Sequence, residues 1–548
     1  MKNCFFQQDL GSRFSKRDPM ELRDYQWEVI GPALEGKNII IWLPTGAGKT
    51  RAAVYVCKKH LESKDKNKVV VLVNTVSLVD QHLKNEFSFL QSQFQITSVY
   101  GDSIQKLFFS DMVKSHDLII CTAQILYNAL NSQEEEMHVE LTDFSLLVID
   151  ECHHTHKGTV YNKIMEDYLD RKLKGQKGLP QILGLTASLG TGSSNTLEAA
   201  KAHILEICAN LDAERIMSIN KQNSSLDCHV PCPKKQYDLA EPRLQTLPCP
   251  WFTENRLSLL GLAKDSRYEN PKLGKLQQVL QDQFQELKSS RGIVFTWTRQ
   301  SAYSLHEWVL GNQALNALGI KSDVLTGVGS SSQTKHMTQQ EQQDIIQRFR
   351  KGQLNLLFST SVAEEGLDIP ECNIIIRYGL MTNEIAMMQA RGRARAPNSI
   401  CSILAKTNSK EVARERLNET LEILMESAIK WVQEMPEKEY HQKIEKLQHE
   451  SMINRKLRDI KLEQQRQLHD PDKIYACDLL NLVKRLNVFV FLQIWGMEMV
   501  HRDFILPMLA IKNFVVETPN GRQKPRKWSK VTFEIKAFDY TEYCNITF

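Results

Sequence analysis

The chain has 548 residues, 42% hydrophobic and 24% charged, with 69 Lys and Arg against 65 Asp and Glu and a formal net charge of +4. This is the make-up of a soluble protein of several domains of roughly 150 residues each; no run approaches the ~18 apolar residues of a membrane span, so membrane insertion is not expected, and the polar start Met1–Leu10 is unlike a secretory signal. The 12 cysteines include no C-x-x-C pair and read as reduced thiols of a cytoplasmic protein, while the near-balanced charge leaves nucleic-acid binding to local basic clusters.

In chain order, residues 1–19 read as an unstructured leader. Between 20 and 219, short apolar runs rich in β-branched residues alternate with longer polar segments: Asn38–Trp42, Val69–Val73, Leu118–Cys121, Leu146–Ile149 and Ile182–Leu185. Such runs suit a parallel sheet buried on both faces, with crossover helices between them. Residues 220–270 carry Pro231, Pro233, Pro242, Pro248 and Pro250 and no sustained period, the marks of a loop or linker. The α/β pattern restarts over 271–406 with Gly292–Thr296, Leu354–Ser359, Asn373–Arg377 and Ile400–Leu404. Residues 407–469 are charged and Gln-rich and predict two long helices broken at Pro436. From 470 to 548 short β-like runs return, with a turn at Pro519–Gly521.

The segment Leu43-Pro-Thr-Gly-Ala-Gly-Lys-Thr50 follows an apolar run and precedes a helix-compatible stretch, Arg51–Leu61. Strand, glycine-bearing turn and helix is the setting of a phosphate loop, in which Gly46 and Gly48 let successive amides curl around an anion at a helix N-terminus. Thr45, Gly46, Ala47 and Gly48 form the cradle, Lys49 meets the β- and γ-phosphates, and the Thr50 hydroxyl ligates Mg²⁺. Leu43 stands where the strict pattern has glycine or alanine. Further on, Phe144–Ile149 ends in Asp150-Glu151-Cys152-His153. Carboxylates past the end of a buried parallel strand sit where such sheets bind ligands. With the phosphate loop on a neighbouring strand, Asp150 is expected to hold the Mg²⁺ and Glu151 to activate the attacking water. Cys152, His153 and His154 are consecutive, and on an extended chain their side chains point apart, which argues against a zinc site. His153 is read as passing on the state of the γ-phosphate through hydrogen bonds.

Together these motifs resemble superfamily 2 helicases of the DExD/H type. Arg23-Asp-Tyr-Gln26 is similar to the glutamine motif that reads adenine, Val73–His82 to motif Ia, Thr122–Leu126 to an RNA-contacting motif and Thr186-Ala-Ser188 to motif III. In the second half, Val294–Arg299 resembles motif IV, Thr360–Asp368 motif V and Gln389-Ala-Arg-Gly-Arg-Ala-Arg395 motif VI. The finer wording resembles the RIG-I-like receptors, cytosolic sensors of viral double-stranded RNA. The nearest resemblance is to their CARD-less regulatory member, since the stretch before Arg23 is too short for tandem CARD domains.

The resemblance implies an α/β fold of two tandem RecA-like, doubly wound parallel-sheet domains (20–219 and 271–406). A helical pincer (407–469) would couple the second domain to a small, β-rich, partial C-terminal RNA-binding domain (470–548). It implies ATP and Mg²⁺ as cofactors, with Arg23 and Gln26 on the nucleotide and RNA-stimulated hydrolysis between the lobes. One or more of Arg391, Arg393 and Arg395 would stabilise charge on the transferring phosphoryl group. Thr75, Thr122, Gln124, Thr296 and Thr360 would contact phosphates and 2′-hydroxyls of an A-form duplex, read by shape. Thr338 and Gln339 would add contacts from a motif within Gly327–Gln340. Double-stranded RNA and other RIG-I-like receptors or their adaptors are the implied partners, and regulation of innate antiviral signalling the implied role.

Two departures stand out. The family's long helical insertion between the lobes is shortened here to 220–270, where Cys228, His229, Cys232 and Cys249 are poorly spaced for zinc. The family's C-terminal domain is held by zinc on four cysteines in two C-x-x-C pairs, yet only Cys477 remains, with Val488 and Phe491 at the second pair. Without zinc that domain is expected not to fold as in its relatives, leaving Val488–Leu492 as an aggregation-prone run. Arg522, Lys524, Arg526, Lys527 and Lys530 around Trp528 keep a phosphate-binding composition with an aromatic platform, so Lys527 and Trp528 are read as RNA contacts. A solvated basic strand is the other reading. Two further functions stay open: a Dicer-like or processive helicase in RNA processing, and an RNA-binding module of weak catalysis.

Overall fold

The computed structural model describes residues 21–468 apart from 64–66, 102–108, 220–229, 242–269, 328–336, 364–366 and several single positions, and beyond them only a strand pair. The leader 1–19, Cys228, His229, Cys249, Cys477, Val488–Leu492, Lys527 and Trp528 lie outside the described residues. The chain forms two units, 1–453 and 454–548. In the second, Val516–Thr518 pairs antiparallel with Gly521–Gln523.

The first unit holds two all-parallel sheets. One is built from β1 (Ile39–Trp42), β2 (Val69–Val73), β3 (Ile96–Val99), β4 (Leu118–Thr122), β5 (Leu146–Asp150), β6 (Gln181–Thr186) and β7 (Arg215–Met217), in the order β3-β4-β2-β5-β6-β1-β7. The other contains β8 (Lys234–Ala240), β9 (Gly292–Phe295), β10 (Ser322–Leu325), β11 (Leu356–Ser359), β12 (Ile374–Tyr378) and β13 (Ile400–Lys406), in the order β10-β11-β9-β12-β13-β8. Helices cover both faces. Alternate residues of each strand feed opposite cores, Ile40, Leu72 and Leu147 into one and Ile39, Val71 and Val148 into the other.

Every apolar run read over 20–219 and 271–406 is a strand. The strands with no such run, β3, β7, β8 and β10, are the two edges of each sheet. An inner strand is flanked and covered, so it selects a continuous apolar run; β2 is buried along its whole length. An edge strand has one open flank and tolerates polar residues, as in Lys234-Lys235-Gln236 of β8, where only Ala240 is buried. The loop reading of 220–270 is therefore corrected at 234–240, which extends the second sheet.

Helices Lys410–Gln433 and Glu437–Leu468 follow, separated at Pro436 as the sequence predicts. The first does more than the coupling expected of a pincer: it spans both lobes. Its N-terminal half presents acids to the second lobe. Glu415 accepts from Arg377 Nε at 2.7 Å, both side chains about 1% exposed. Glu419 accepts from Lys235 and Tyr237, and Glu422 from Arg391. Its C-terminal half sinks Met425, Ala428, Ile429 and Val432 into the first lobe's core. Each of the larger three is worth ~1.5–3 kcal/mol of burial.

Candidate nucleotide site between the lobes

The phosphate loop leaves β1 as expected. Gly46 and Gly48 have φ of +89° and +76°, a region closed to most side chains. Space closes Gly48 as well, because a Cβ there would meet Gln26 Nε2 at 2.4 Å. Gln26, 2% exposed, donates from that nitrogen to the carbonyls of Gly48 and Ala47 at 3.0 and 3.2 Å. Arg23 closes the helix start by donating its amide to Gln26 Oε1 at 2.9 Å, and its guanidinium donates to the Tyr25 hydroxyl at 2.7 Å. Gln26 thus braces the loop through its own backbone, as does the Tyr25 hydroxyl, which donates to the Ala47 carbonyl at 3.1 Å, while Arg23 acts only through these two.

Lys49 donates to the Leu43 carbonyl at 3.1 Å. Burial pulls its pKa below the usual lysine value, while Glu151 and Asp150 draw it up. Asp150 ends β5, but not beside β1: β6 stands between them, which corrects the neighbouring-strand expectation. Thr186 ends β6 and Ala187 and Ser188 follow it, so the Thr186-Ala-Ser188 loop lies between phosphate loop and acids. His82, which the sequence reading passed over, approaches Asp150 Oδ2 at 3.0 Å, and the Glu151 amide donates to Oδ1 at 3.1 Å.

Glu151 takes a left-handed φ of +48° and begins a turn, Cys152–His154. Because the chain coils there, the expectation that the side chains point apart fails: the His153 and His154 rings stand 4.1 Å apart between centroids. Cys152 packs beneath, where a Cβ on Gly184 would meet its sulfur at 3.0 Å; burial pushes the thiol's pKa well up. His153 Nδ1 lies 3.3 Å from Glu151 Oε2 and 3.0 Å from Thr186 Oγ1. The Thr186 hydroxyl donates to the Ser188 carbonyl at 2.6 Å, and the Ser188 hydroxyl to Met425 Sδ at 3.2 Å. A chain of contacts so runs from Glu151 to the bridging helix.

Opposite, the second lobe brings in its arginines. A cleft of about 360 Å³ is lined by Thr45, Gly46, Lys49, Thr50, His82, Asp150 and Glu151 from one lobe and Gln389, Arg393 and Arg395 from the other. Arg395 lies against the phosphate loop: a Cβ on Gly46 would stand 3.4 Å from its Cδ. Arg393, 8% exposed, donates to the Leu367 carbonyl at 2.8 Å. Arg391 is absent from the lining and forms a two-pronged pair with Glu422, so its place in the phosphoryl-facing set is corrected. Gly392 permits the approach, since a Cβ there would fall 2.6 Å from Thr45 Cβ. A second seam lies at Thr191, whose amide and hydroxyl donate to Glu384 Oε1 at 3.0 and 2.9 Å.

The residues expected on RNA divide. Thr75 and Gln124 are exposed and Thr122 half-buried; pairing of Val73 with Thr122 gathers them at the C-terminal edge of the first sheet. Thr360 is half-buried at the matching edge of the second. Thr296 is corrected: 2% exposed, its hydroxyl donates to the carbonyls of Thr298 and Ser359 at 3.1 and 3.3 Å. It stitches β9 to β11, while Trp297, 64% exposed, stands outside. Thr338 caps helix Gln339–Arg350, exchanging hydrogen bonds with Glu341, and Gln339 is that helix's half-buried first residue. Among the described residues no group of three His, Cys, Asp or Glu could hold a metal, and no helix is long and apolar enough to cross a membrane. Cys232 of the drawn zinc set is exposed.

Residues 19–190 match the family model of the type III restriction enzyme res subunit, 271–396 the helicase conserved C-terminal domain, and 440–543 the C-terminal domain of RIG-I. The chain is 41% identical to the mouse ATP-dependent RNA helicase DHX58, covering 96% of this chain and 98% of that protein. That alignment runs over 668 positions, more than the chain's own 548, so the mouse protein has stretches without a counterpart here. The human antiviral innate immune response receptor RIG-I is 28% identical over 96% of this chain and 74% of its own length. Dicer-like protein 1 of Pyricularia oryzae is 28% identical over 69% of this chain but 29% of that protein.

Proposed function

The chain belongs to the RIG-I-like receptor family of RNA helicases, and on that premise we propose that it binds double-stranded RNA in the cytoplasm, hydrolyses ATP when bound, and regulates antiviral signalling. The observation that carries this reading is the single cleft in which Lys49, Asp150 and Glu151 face Arg393 and Arg395. The Thr50 hydroxyl and Asp150 carboxylate are hard oxygen donors in that cleft and fit Mg²⁺. Held by these two groups, the cation would supply positive charge that offsets the phosphate charge. Lys49 balances phosphate charge from beneath, and Glu151, bent into the cleft by its left-handed backbone, orients and deprotonates the attacking water. Arg393 and Arg395 meet charge that grows on the γ-phosphoryl oxygens, which makes hydrolysis depend on how the lobes are held. Duplex RNA across the edge carrying Thr75, Thr122, Gln124 and Thr360 would favour that closed arrangement. Other receptors of the family, or their adaptors, are the partners this role requires.

The test is the ATPase rate of the whole chain with and without duplex RNA, beside Glu151→Gln. The rate should rise with RNA and fall ~10²–10³-fold in the variant, the scale of removing one well-placed catalytic group. A basal rate indifferent to RNA overturns the stimulated ATPase and leaves a binding module. Strand displacement of long duplexes would instead favour a processive helicase.

A further inference from the structure

We propose that His82 is a positioning residue that fixes the Asp150 carboxylate for the divalent cation, an assignment that rests on the ATPase reading above. In the sequence Gln81 and His82 close the Val73–His82 stretch and carry no role of their own. The fold gives His82 one. The helix Val76–Lys84 follows β2, which pairs with β5 through Leu72 and Ile149, and this brings His82 over the strand end where Asp150 sits. His82 is 5% exposed and Asp150 8% exposed. A carboxylate only accepts, so the ring's Nε2–H donates to Oδ2 across 3.0 Å.

Both ends of this arrangement are pinned. The His82 ring meets Phe87 edge-on, with centroids 6.2 Å apart and an interplanar angle of 85°, and Phe87 is itself buried at 1%. On the other side, the Glu151 amide holds Asp150 Oδ1. With one donor on each oxygen the carboxylate cannot rotate about its last bond, and its remaining lone pairs serve the cleft that it lines with Thr50. Partners that orient a metal-binding carboxylate typically contribute ~10–100-fold to metal affinity or activity. The Glu151 amide is a backbone group present with any side chain, so the adjustable half of the clamp is His82.

The experiment uses the full chain and a fluorescent ATP analogue, titrated at rising Mg²⁺ and in EDTA, for the wild type, His82→Ala and His82→Gln. Gln carries an N–H at a reach similar to Nε2. The expected result is a Mg²⁺ midpoint raised ~10–100-fold in His82→Ala, with binding in EDTA unchanged and the midpoint largely restored in His82→Gln. A wild-type midpoint in His82→Ala overturns the assignment alone, as does an equal loss of binding in EDTA, which would mark a collapsed pocket. Wild-type chain whose binding ignores Mg²⁺ overturns it together with the ATPase reading.

Discussion

The two walls of the cleft are built differently. In the first lobe Lys49 is braced by the Leu43 carbonyl, the loop by Gln26, and Asp150 by His82 and the Glu151 amide, all from that lobe. In the second lobe one short segment holds three arginines by three anchors, Arg395 on the Gly392 carbonyl, Arg393 on the Leu367 carbonyl and Arg391 on Glu422 of the bridging helix. The acid wall is preorganised by several strand ends, whereas the arginine wall is one short segment, held within its own lobe at Arg393 and Arg395 and tied to the bridging helix through Arg391, which lies outside the cleft. The bridging helix thus reaches both walls indirectly, the arginine segment through Arg391 and Glu422 and the acid wall through Ser188 and Met425.

The largest effect that would test this contrast separates the arginines. Arg395→Ala should lower kcat by ~10³–10⁵, the range for a residue that stabilises a transferring phosphoryl group. Arg391→Ala should act chiefly on stability. Steady-state kinetics beside denaturant unfolding of both variants checks this, and equal kcat losses would erase the distinction between the anchors.

Next in size is the bridging helix's grip on the second lobe. Glu415→Ala takes the carboxylate from the Arg377 guanidinium, which is 1% exposed and keeps its bond to the Thr382 hydroxyl, and breaking one partner of a buried pair costs about 3–5 kcal/mol. The denaturant midpoint of the second lobe's transition should fall accordingly. A shift as small as that of the exposed Lys430–Glu434 pair would show that the acids on this helix are ornament.

The smallest effect concerns the first lobe's side of the seam. His203 approaches the Leu189 carbonyl at 3.3 Å and packs where a Cβ on Gly192 would meet it at 2.6 Å. Burial lowers its pKa from 6.5, against the opposite pull of the Leu189 carbonyl, Glu206 and Glu384. Above pH 6.5 the ring is neutral in folded and unfolded chains alike and adds no pH dependence. Below it the unfolded chain takes the proton first, so stability should fall as pH falls. Unfolding followed from pH 7 to pH 5 should show a shallower slope in His203→Gln than in the wild type.

The inner strands, the phosphate loop and the Asp150-Glu151 pair were legible because each is specified locally: continuous apolar runs for strands buried on both faces, glycines where φ is positive, acids at a strand end. The edge strands were not, since β3, β7, β8 and β10 need only half a covering. Nor was His82, because nothing in Val76–Lys84 says which strand end its last turn overlies. Thr296 misled for the same reason, as a short polar residue at a strand end looks alike whether it faces RNA or stitches two strands.

By itself, then, the sequence determined the family, the two parallel sheets and the chemistry offered at their C-terminal edges. Only the tertiary structure decided which groups share the cleft: it set Arg391 on Glu422, placed β6 between phosphate loop and acids, and set His82 on Asp150. The physical reason is range. Backbone conformation and burial on both faces leave marks within a few neighbouring residues, whereas a side-chain partner far along the chain is chosen by packing that no local pattern encodes.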